Sequence, residues 1–318
     1  MHVYSSAPLW LWLLFGVFVF TLLALDLGVF HRRDKTVTTR SALCWTAIWI
    51  ALALLFNLYL YWQFGSEPAL EYLAGYLMEK ALSVDNLFVF LLLFRYFAVP
   101  APLQHRVLFW GILAAIVFRG LFILAGSILI QSFAWMLYLF GVFLVLTGGK
   151  LVFSKSEVIH PEKNWVLKIL RKFIPVLRRY KGNHFLLKRK GKYYATPLLL
   201  VLLTLEATDV IFALDSIPAI FGITQDPFII FSSNIFAILG LRSLYFALSG
   251  MMNKFRYLKY GLGAILVFVG LKMLVHEKID IPISVSLATL AVLLGTSVLA
   301  SLLRPSSTAL PVTLDKNR

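Results

Sequence analysis

Acidic residues lie inside two stretches of this sequence that are otherwise long and apolar enough to cross a lipid bilayer. The polar residues are Glu79, Lys80, Asp85 and Asn86 in stretch 70–94, and Glu206, Asp209, Asp215 and Ser216 in stretch 195–221. An ionisable group at mid-membrane costs about 2.5–3.5 kcal/mol on insertion scales, so it is usually retained for a function. The two stretches are therefore the first place to look for one.

The composition is that of an all-α polytopic membrane protein. Of 318 residues, 60% are hydrophobic and only 14% are charged, and the mean hydropathy is +0.84. Soluble domains have about 45–50% apolar and about 25% charged residues. Cys44 is the only cysteine, which excludes an intramolecular disulfide and a Cys-based metal or haem site.

Nine segments of the sequence are long enough to span a bilayer, whose hydrocarbon core of about 30 Å requires about 20 helical residues. They are 9–30, 41–62, 70–94, 107–130, 132–153, 195–221, 228–252, 258–276 and 282–303. We expect the fourth and fifth to be joined by a tight turn around Gln131. The chain then divides into 1–153 with five spans, the loop 154–194, 195–303 with four spans, and a tail at 304–318.

The charges of the connecting loops orient these spans. Alternate loops are rich in Lys and Arg, whereas the opposite loops carry Glu67, Asp226, Glu277, Asp280 and one base, Lys278. Because an excess of Lys and Arg marks the cytoplasmic side, we expect the N-terminus outside, and the C-terminus and its tail inside. The loop 154–194 holds twelve Lys and Arg, which explains most of the net charge of +15 without any nucleic-acid partner.

The basic loop allows two interpretations. Residues 165–177 interleave apolar and basic side chains, which is typical of an amphipathic helix on anionic lipid. Alternatively, the basic residues only fix the topology. The stretch 184–194, with its Lys-Gly pair, is expected to form a short hairpin.

An internal repeat links the two acidic stretches. Glu79-x5-Asp85-Asn86 matches Asp209-x5-Asp215-Ser216, and the residues Tyr138, Gly141, Gly148 and Lys150 recur with the same spacing as Tyr260, Gly263, Gly270 and Lys272. Spans three to five (about 70–153) and six to eight (about 195–276) thus resemble one three-helix unit used twice. Three helices per unit invert the second copy, an arrangement typical of secondary transporters with a site at mid-membrane. The alternative is chance similarity between Gly-rich helices.

The acids predict a site for a hard cation. Carboxylate, amide and hydroxyl oxygens without Cys or His suit Mg²⁺, Ca²⁺ or Mn²⁺. The candidate ligands are Glu79, Asp85, Asn86, Glu206, Asp209, Asp215 and Ser216, and the candidate counter-charges or gating residues are Lys80, Arg119 and Arg242. Five acids exceed three bases by about two charges, which one transported divalent cation, or protons exchanged for it, would balance. Alternatively, the bases neutralise the acids as simple ion pairs. We expect Asn57 and Asn234 to form interhelical hydrogen bonds.

The motif Glu79-Lys-Ala-Leu-Ser-Val-Asp85-Asn86 and the segment from Glu206 to Phe221 resemble the TerC family, closest to its Alx branch. The resemblance extends through Tyr194-Ala-Thr-Pro-Leu and the segment from Ser233 to Arg242. It implies a protein of the bacterial cytoplasmic membrane that is linked to metal homeostasis, in a family associated with manganese export and named for tellurium resistance. The family's acidic motif positions carry over as Glu79, Asp85, Glu206, Asp209 and Asp215.

Two functions follow from these residues and this resemblance. The first is export of divalent cations, manganese foremost, with no tightly bound cofactor. The second is a non-transporting membrane modulator of redox or metal stress that acts through partner proteins, since some family members are described only as redox modulators. An enzyme is not expected, because the sequence has no nucleophile–base motif, no HExxH and no phosphate-binding loop.

Overall fold

A computed structural model describes residues 7–31, 38–153, 175–177, 180–189, 191–249, 257–279 and 281–303, and the side chains of 26–31 and 189 are not described. The described chain contains ten helices and one hairpin. The helices are α1 (Leu9–His31), α2 (Thr39–Phe64), α3 (Ser66–Tyr96), α4 (Ala101–Ser132), α5 (Met136–Phe153), α6 (Pro197–Phe221), α7 (Pro227–Leu239), α8 (Leu241–Leu248), α9 (Leu258–Val275) and α10 (Ile283–Leu303). The strands are β1 (Leu186–Arg189) and β2 (Lys192–Ala195).

The predicted class, an all-α polytopic membrane protein, is confirmed. Six described helices (α2, α4, α5, α6, α9 and α10) are long and apolar enough to cross a membrane, and α7 with α8 is apolar enough for a seventh if the bent pair counts as one span. Helix α1 is apolar over its described part, and α3 has ample length but carries the charged residues discussed above. Each of the nine predicted segments therefore coincides with one helix or with the bent pair.

Two details of the helix boundaries differ from expectation. Helix α4 continues through Gln131 to Ser132, so the tight turn lies at 133–135 instead. The seventh span is divided at Gly240, where α7 ends and α8 begins, and its two halves are bent by 40°. Helix α7 starts at a strong N-cap, because Asp226 accepts hydrogen bonds from the backbone N–H groups of Phe228 and Ile229.

The described end of the basic loop is a hairpin, as expected, with strands β1 and β2 antiparallel and Gly191 at φ +77° in the turn. Residues 165–174 of the predicted amphipathic helix lie outside the described residues. Its last three residues are extended rather than helical, and Val176 pairs with Ala195 beside the hairpin. That part of the prediction is wrong, because Pro175 lacks an N–H donor and interrupts a helical pattern.

Helices α5 and α9 cross at glycines in an antiparallel arrangement. A carbon added at Gly148 would lie 2.6 Å from the carbonyl oxygen of Gly263, and one added at Gly141 would lie 3.0 Å from that of Gly270. In the repeat, Gly141 corresponds to Gly263 and Gly148 to Gly270. Gly148 thus contacts the repeat counterpart of Gly141, and Gly141 contacts the repeat counterpart of Gly148. A two-fold axis that relates the two units produces this pattern of contacts. The backbone contact fits two units of opposite orientation.

Helix α3 is central to the bundle and packs against α2, α6, α7 and α10. Buried apolar side chains form three clusters around it, and aromatic rings of α1 and α2, such as Phe15 and Phe56, contact Phe228 and Phe236 of α7. This packing holds α3, α4, α6 and α7 side by side at their middles, where their polar side chains meet.

Candidate functional site

Arg119 of α4 is the centre of the polar network, and only 1% of it is exposed. Its Nη1 group donates to Glu79 of α3 and, over 2.8 Å, to Oδ1 of Asn234 of α7. Its Nη2 group donates to Oδ1 of Asp209 of α6 over 3.3 Å. One guanidinium therefore joins four helices and bridges an acid of the first repeat to its counterpart in the second.

Helical spacing explains which side chains reach this centre. In α3, Ser83 lies one turn after Glu79, and its hydroxyl donates to Oε1 of Glu79 over 3.5 Å. In α6, Glu206 lies one turn before Asp209 on the same face. These acids are all buried, as is Asn86 on the same face of α3.

Glu206 is the least satisfied acid among the described residues. It is 8% exposed, and both of its carboxylate oxygens are buried without a hydrogen-bond partner in the described part of the chain. Helix α4 comes close to it at Gly111, where an added carbon would lie 3.2 Å from Oε1. A cavity of about 20 Å³ lies beside Gly111 and Asp209, which is room for about one water molecule.

Lys80 interacts with the break in the seventh span. Its Nζ group donates to the carbonyl oxygen of Ala237 over 3.2 Å, near the C-terminus of α7. Helix C-termini carry partial negative charge and attract cations. A side chain at Gly240 would meet this ammonium group, since an added carbon would lie 2.9 Å from Nζ. The glycine therefore leaves room for Lys80 at the break.

Asp85 and Asp215 are placed differently from the acids around Arg119. Asp85 is half-buried and within electrostatic range of Lys259 of α9. Asp215 is half-buried, accepts a hydrogen bond from Thr147 of α5 and is in electrostatic range of Lys150. Each flanking acid therefore interacts with a helix of the other repeat.

The remaining predicted residues are also inside the bundle. Ser216 of α6 is buried, and its hydroxyl has no hydrogen-bond partner among the described residues. Arg242 is the second residue of α8, is buried, and acts electrostatically on His105 of α4. Across the described parts of the chain, no three His, Cys, Asp or Glu side chains form a group that could hold a metal ion as they stand.

A family model described as "Integral membrane protein TerC family" matches residues 64–309. The chain belongs to the TerC family. The match begins just before α3 and includes all of the helices that carry the polar network.

Three TerC relatives show how much of the chain the similarity covers. A Myxococcus xanthus protein named "Uncharacterized membrane protein STKORF319" is 51% identical over 92% of this chain and 92% of its own. A protein of Photorhabdus laumondii named "Putative membrane-bound redox modulator Alx" is 46% identical over 92% of this chain and 94% of its own. The protein of that name from Escherichia coli K12 is 47% identical over 87% and 89%. No solved structure matches this chain.

Some contacts of this TerC protein could be predicted from the sequence and others could not. The expected interhelical hydrogen bond of Asn234 is confirmed, although only the structure identifies Arg119 as its donor. The same expectation is not met at Oδ1 of Asn57, which is buried without a hydrogen-bond partner among the described residues. Thr147 as the partner of Asp215 was missed, because a single Thr in an apolar helix has many ordinary explanations. The close approach of Gly111 to Glu206 was also missed, since a glycine in a sequence allows close packing but does not indicate which residue packs there.

Proposed function

We propose that this protein exports divalent metal cations, manganese foremost, through the centre formed by Glu79, Asp209 and Arg119. The observation that carries the proposal is a guanidinium held between one acid of each repeat in the membrane interior. We further propose that the protein resides in the bacterial cytoplasmic membrane with its N-terminus outside and its C-terminus inside, as the Lys and Arg of the loops indicate.

Electrostatics explains why such a centre would bind a metal cation in alternation with the guanidinium of Arg119. Two carboxylates in a low-dielectric site require a positive charge, and Arg119 supplies one that cannot be lost by deprotonation. The same oxygens can bind a divalent cation only after the guanidinium withdraws. The guanidinium of Arg119 then competes with the metal ion for the carboxylate oxygens, and it binds them again when the metal ion leaves.

The ligands available for such an ion are oxygen atoms. Glu79 and Asp209 would contribute carboxylates, Asn234 its Oδ1 atom, and Glu206 a carboxylate that now has no partner among the described residues. Hard oxygen ligands without Cys or His favour Mg²⁺, Ca²⁺ and Mn²⁺. The association of the TerC family with manganese export, together with this ligand set, directs the proposal to manganese.

Asp85 and Asp215 fit a route to and from this centre. Each lies six residues beyond the central acid of its own helix, about 9 Å along the axis. Because the proposed topology inverts α6 relative to α3, Asp85 lies on the cytoplasmic side of the centre and Asp215 on the outer side. The two acids would attract the cation on its way in and on its way out.

The break between α7 and α8 is consistent with movement of side chains near the polar centre. Discontinuous helices at mid-membrane are typical of transporter binding sites, where free carbonyl groups and helix ends face the substrate. Here the break follows Leu239, and Lys80 lies against the end of α7. Withdrawal of Lys80 would free the carbonyl of Ala237 for the cation.

The experiment is metal flux into proteoliposomes that contain the purified protein, with manganese, magnesium and calcium in competition. We expect manganese flux, and a loss of about 10–100-fold in Glu79→Gln and in Asp209→Asn, because each removes a charged group from the site. Glu67→Gln is the matched control: it makes the same chemical change at an exposed acid near the start of α3, and should leave flux unchanged. Normal flux in both central variants would refute the proposed site.

The name of the Alx relatives favours a second candidate, a membrane-bound modulator of redox or metal stress that transports nothing. The basic loop 154–194 would then be its working surface, in contact with partner proteins. Deletion of this loop should abolish activity in cells under that function, whereas metal flux in proteoliposomes should persist under the transport function.

A further inference from the structure

The hairpin of strands β1 and β2 is fixed to the cytoplasmic ends of α3 and α4. The hydroxyl of Tyr180 donates to the carbonyl oxygen of Phe97 over 2.7 Å, and burial raises the pKa of Tyr180 to about 12, so the hydroxyl keeps its proton. The hydroxyl of Thr196 is 2.8 Å from the carbonyl oxygen of His184 and 3.1 Å from that of Phe185. These contacts make the hairpin a fixed platform rather than a free loop.

The contacts of Phe185 place the hairpin at the perimeter of the helix bundle. The guanidinium of Arg106 lies 5.5 Å from the centre of the Phe185 ring. The ring of Trp110 makes an edge contact with Phe185 at 6.4 Å and is itself 44% exposed, on a helix that crosses the membrane. Exposed Trp residues near the ends of spans lie at the level of the lipid headgroups. The hairpin beside Trp110 therefore lies at that level too.

One face of the hairpin is both apolar and basic. Lys188 and Tyr193 are opposite each other in the sheet, and the ammonium group lies 5.6 Å from the centre of the Tyr ring. Leu186, two residues before Lys188 on the same face, is 46% exposed, and Tyr193 is 59% exposed. The other face, with Leu187 opposite Tyr194, is half-buried.

The hairpin and the residues just before it carry only basic charges. Between 181 and 192 the sequence holds five basic residues (Lys181, Lys188, Arg189, Lys190 and Lys192) and no Asp or Glu. A basic segment next to a span is attracted to the anionic lipids of the cytoplasmic leaflet. Exposed Tyr and Leu side chains between the lysines would enter the boundary between headgroups and acyl chains.

We propose that the outer face of the hairpin, formed by Leu186, Lys188 and Tyr193, binds anionic phospholipid headgroups of the cytoplasmic leaflet. Lipid fits better than an acidic protein partner because the hairpin adjoins the lipid-exposed Trp110. The orientation of the spans used here rests on the proposed topology, but the binding itself does not depend on metal transport.

The test places a fluorophore on this face of the full-length protein. Cys44 is exchanged for Ser, and Leu186→Cys carries an apolar, environment-sensitive label. The protein is reconstituted in phosphatidylcholine vesicles with or without phosphatidylglycerol, and each contains the same fraction of phosphatidylcholine with a nitroxide near the headgroup. We expect about twofold or more stronger quenching with phosphatidylglycerol. In 1 M salt this difference should largely disappear, because the Debye length falls to about 3 Å.

Matched variants identify the basic residues responsible. Lys188→Ala, which removes the base of this face, should remove a large part of the effect of phosphatidylglycerol, whereas Lys278→Ala, in a different exposed segment, should not change it. A label at Leu58→Cys on α2, whose side chain is 47% exposed, should be quenched equally in both lipids. Equal quenching at position 186 in both lipids, or quenching there only by aqueous iodide, would overturn the proposal.

Discussion

The two repeats meet at two places, and only one of them follows the symmetry of the repeat. At the crossing of α5 and α9, Gly141 contacts Gly270 and Gly148 contacts Gly263, so the two halves make equivalent contacts. At the polar centre, Glu79 and Asp209 are counterparts, but only Arg119 of the first repeat lies between them. Arg242, at the matching place in the seventh predicted span, is also buried but acts electrostatically on His105. Glu206, one turn before Asp209, has the uncharged phenol of Tyr76 at its counterpart position.

This difference indicates that the glycine crossing of α5 and α9 is a packing scaffold, whereas the polar centre at Arg119 is the proposed functional site. Close packing at the glycines requires only the absence of side chains, and both copies of a repeat can meet that requirement equally. A charge between two acids cannot be duplicated in the same space, because two guanidinium groups there would repel each other. We infer that symmetry was retained where packing alone matters and was lost where a net charge must be set.

The largest effect is expected from Arg119→Ala. It leaves Glu79 and Asp209 buried without their cation, and breaking a buried ion pair in this way costs about 3–5 kcal/mol. The variant should show a strongly lowered unfolding temperature in detergent. Adding Glu79→Gln and Asp209→Asn should restore most of this stability, because the uncompensated charges are then gone. No gain in the triple variant would show that Arg119 stabilises by packing rather than by charge.

Next in size is the effect of Gly148→Val at the symmetric crossing. The new side chain would collide with the backbone at Gly263, and overpacking of this kind costs about 1–3 kcal/mol. Gly149→Val is the matched control, because nothing lies within 4 Å of a carbon added there. Thermal unfolding of the two variants should differ clearly. Equal stability would mean that α5 and α9 can separate freely, and that the crossing is not a fixed scaffold.

The smallest effect is expected from Glu206→Gln, one turn before Asp209 in α6. Asp209→Asn weakens a charged hydrogen bond with Arg119 and should cost about 1.5–3 kcal/mol. Glu206→Gln removes a buried carboxylate with no partner among the described residues, so stability should change by less than about 1 kcal/mol or increase. Unfolding in denaturant compares the two. A larger loss in Glu206→Gln would identify Glu206 as a structural member of the network.

The sequence predicted the places of the long helices well, because the thickness of the bilayer fixes the length of an apolar helix. It also paired Glu79 with Asp209 as repeat counterparts, and the structure brings both to Arg119. The break at Gly240 was not predicted, since a glycine in an apolar helix is common and its consequence depends on Lys80 of another helix. The separate positions of Asp85 and Asp215 were also not predicted, because helical spacing gives a face but not the helix that it meets.

By itself, the sequence determined the class of the protein, the places of its long apolar helices and the acids that must be neutralised, because these follow from composition and periodicity along one chain. The tertiary structure decided that Arg119 neutralises two of these acids at once, that Asn234 shares its guanidinium, and that Glu206 stays without a partner in the described chain. Such contacts join residues 40 to 115 positions apart. They depend on how the helices are rotated and packed against one another, which no single helix encodes.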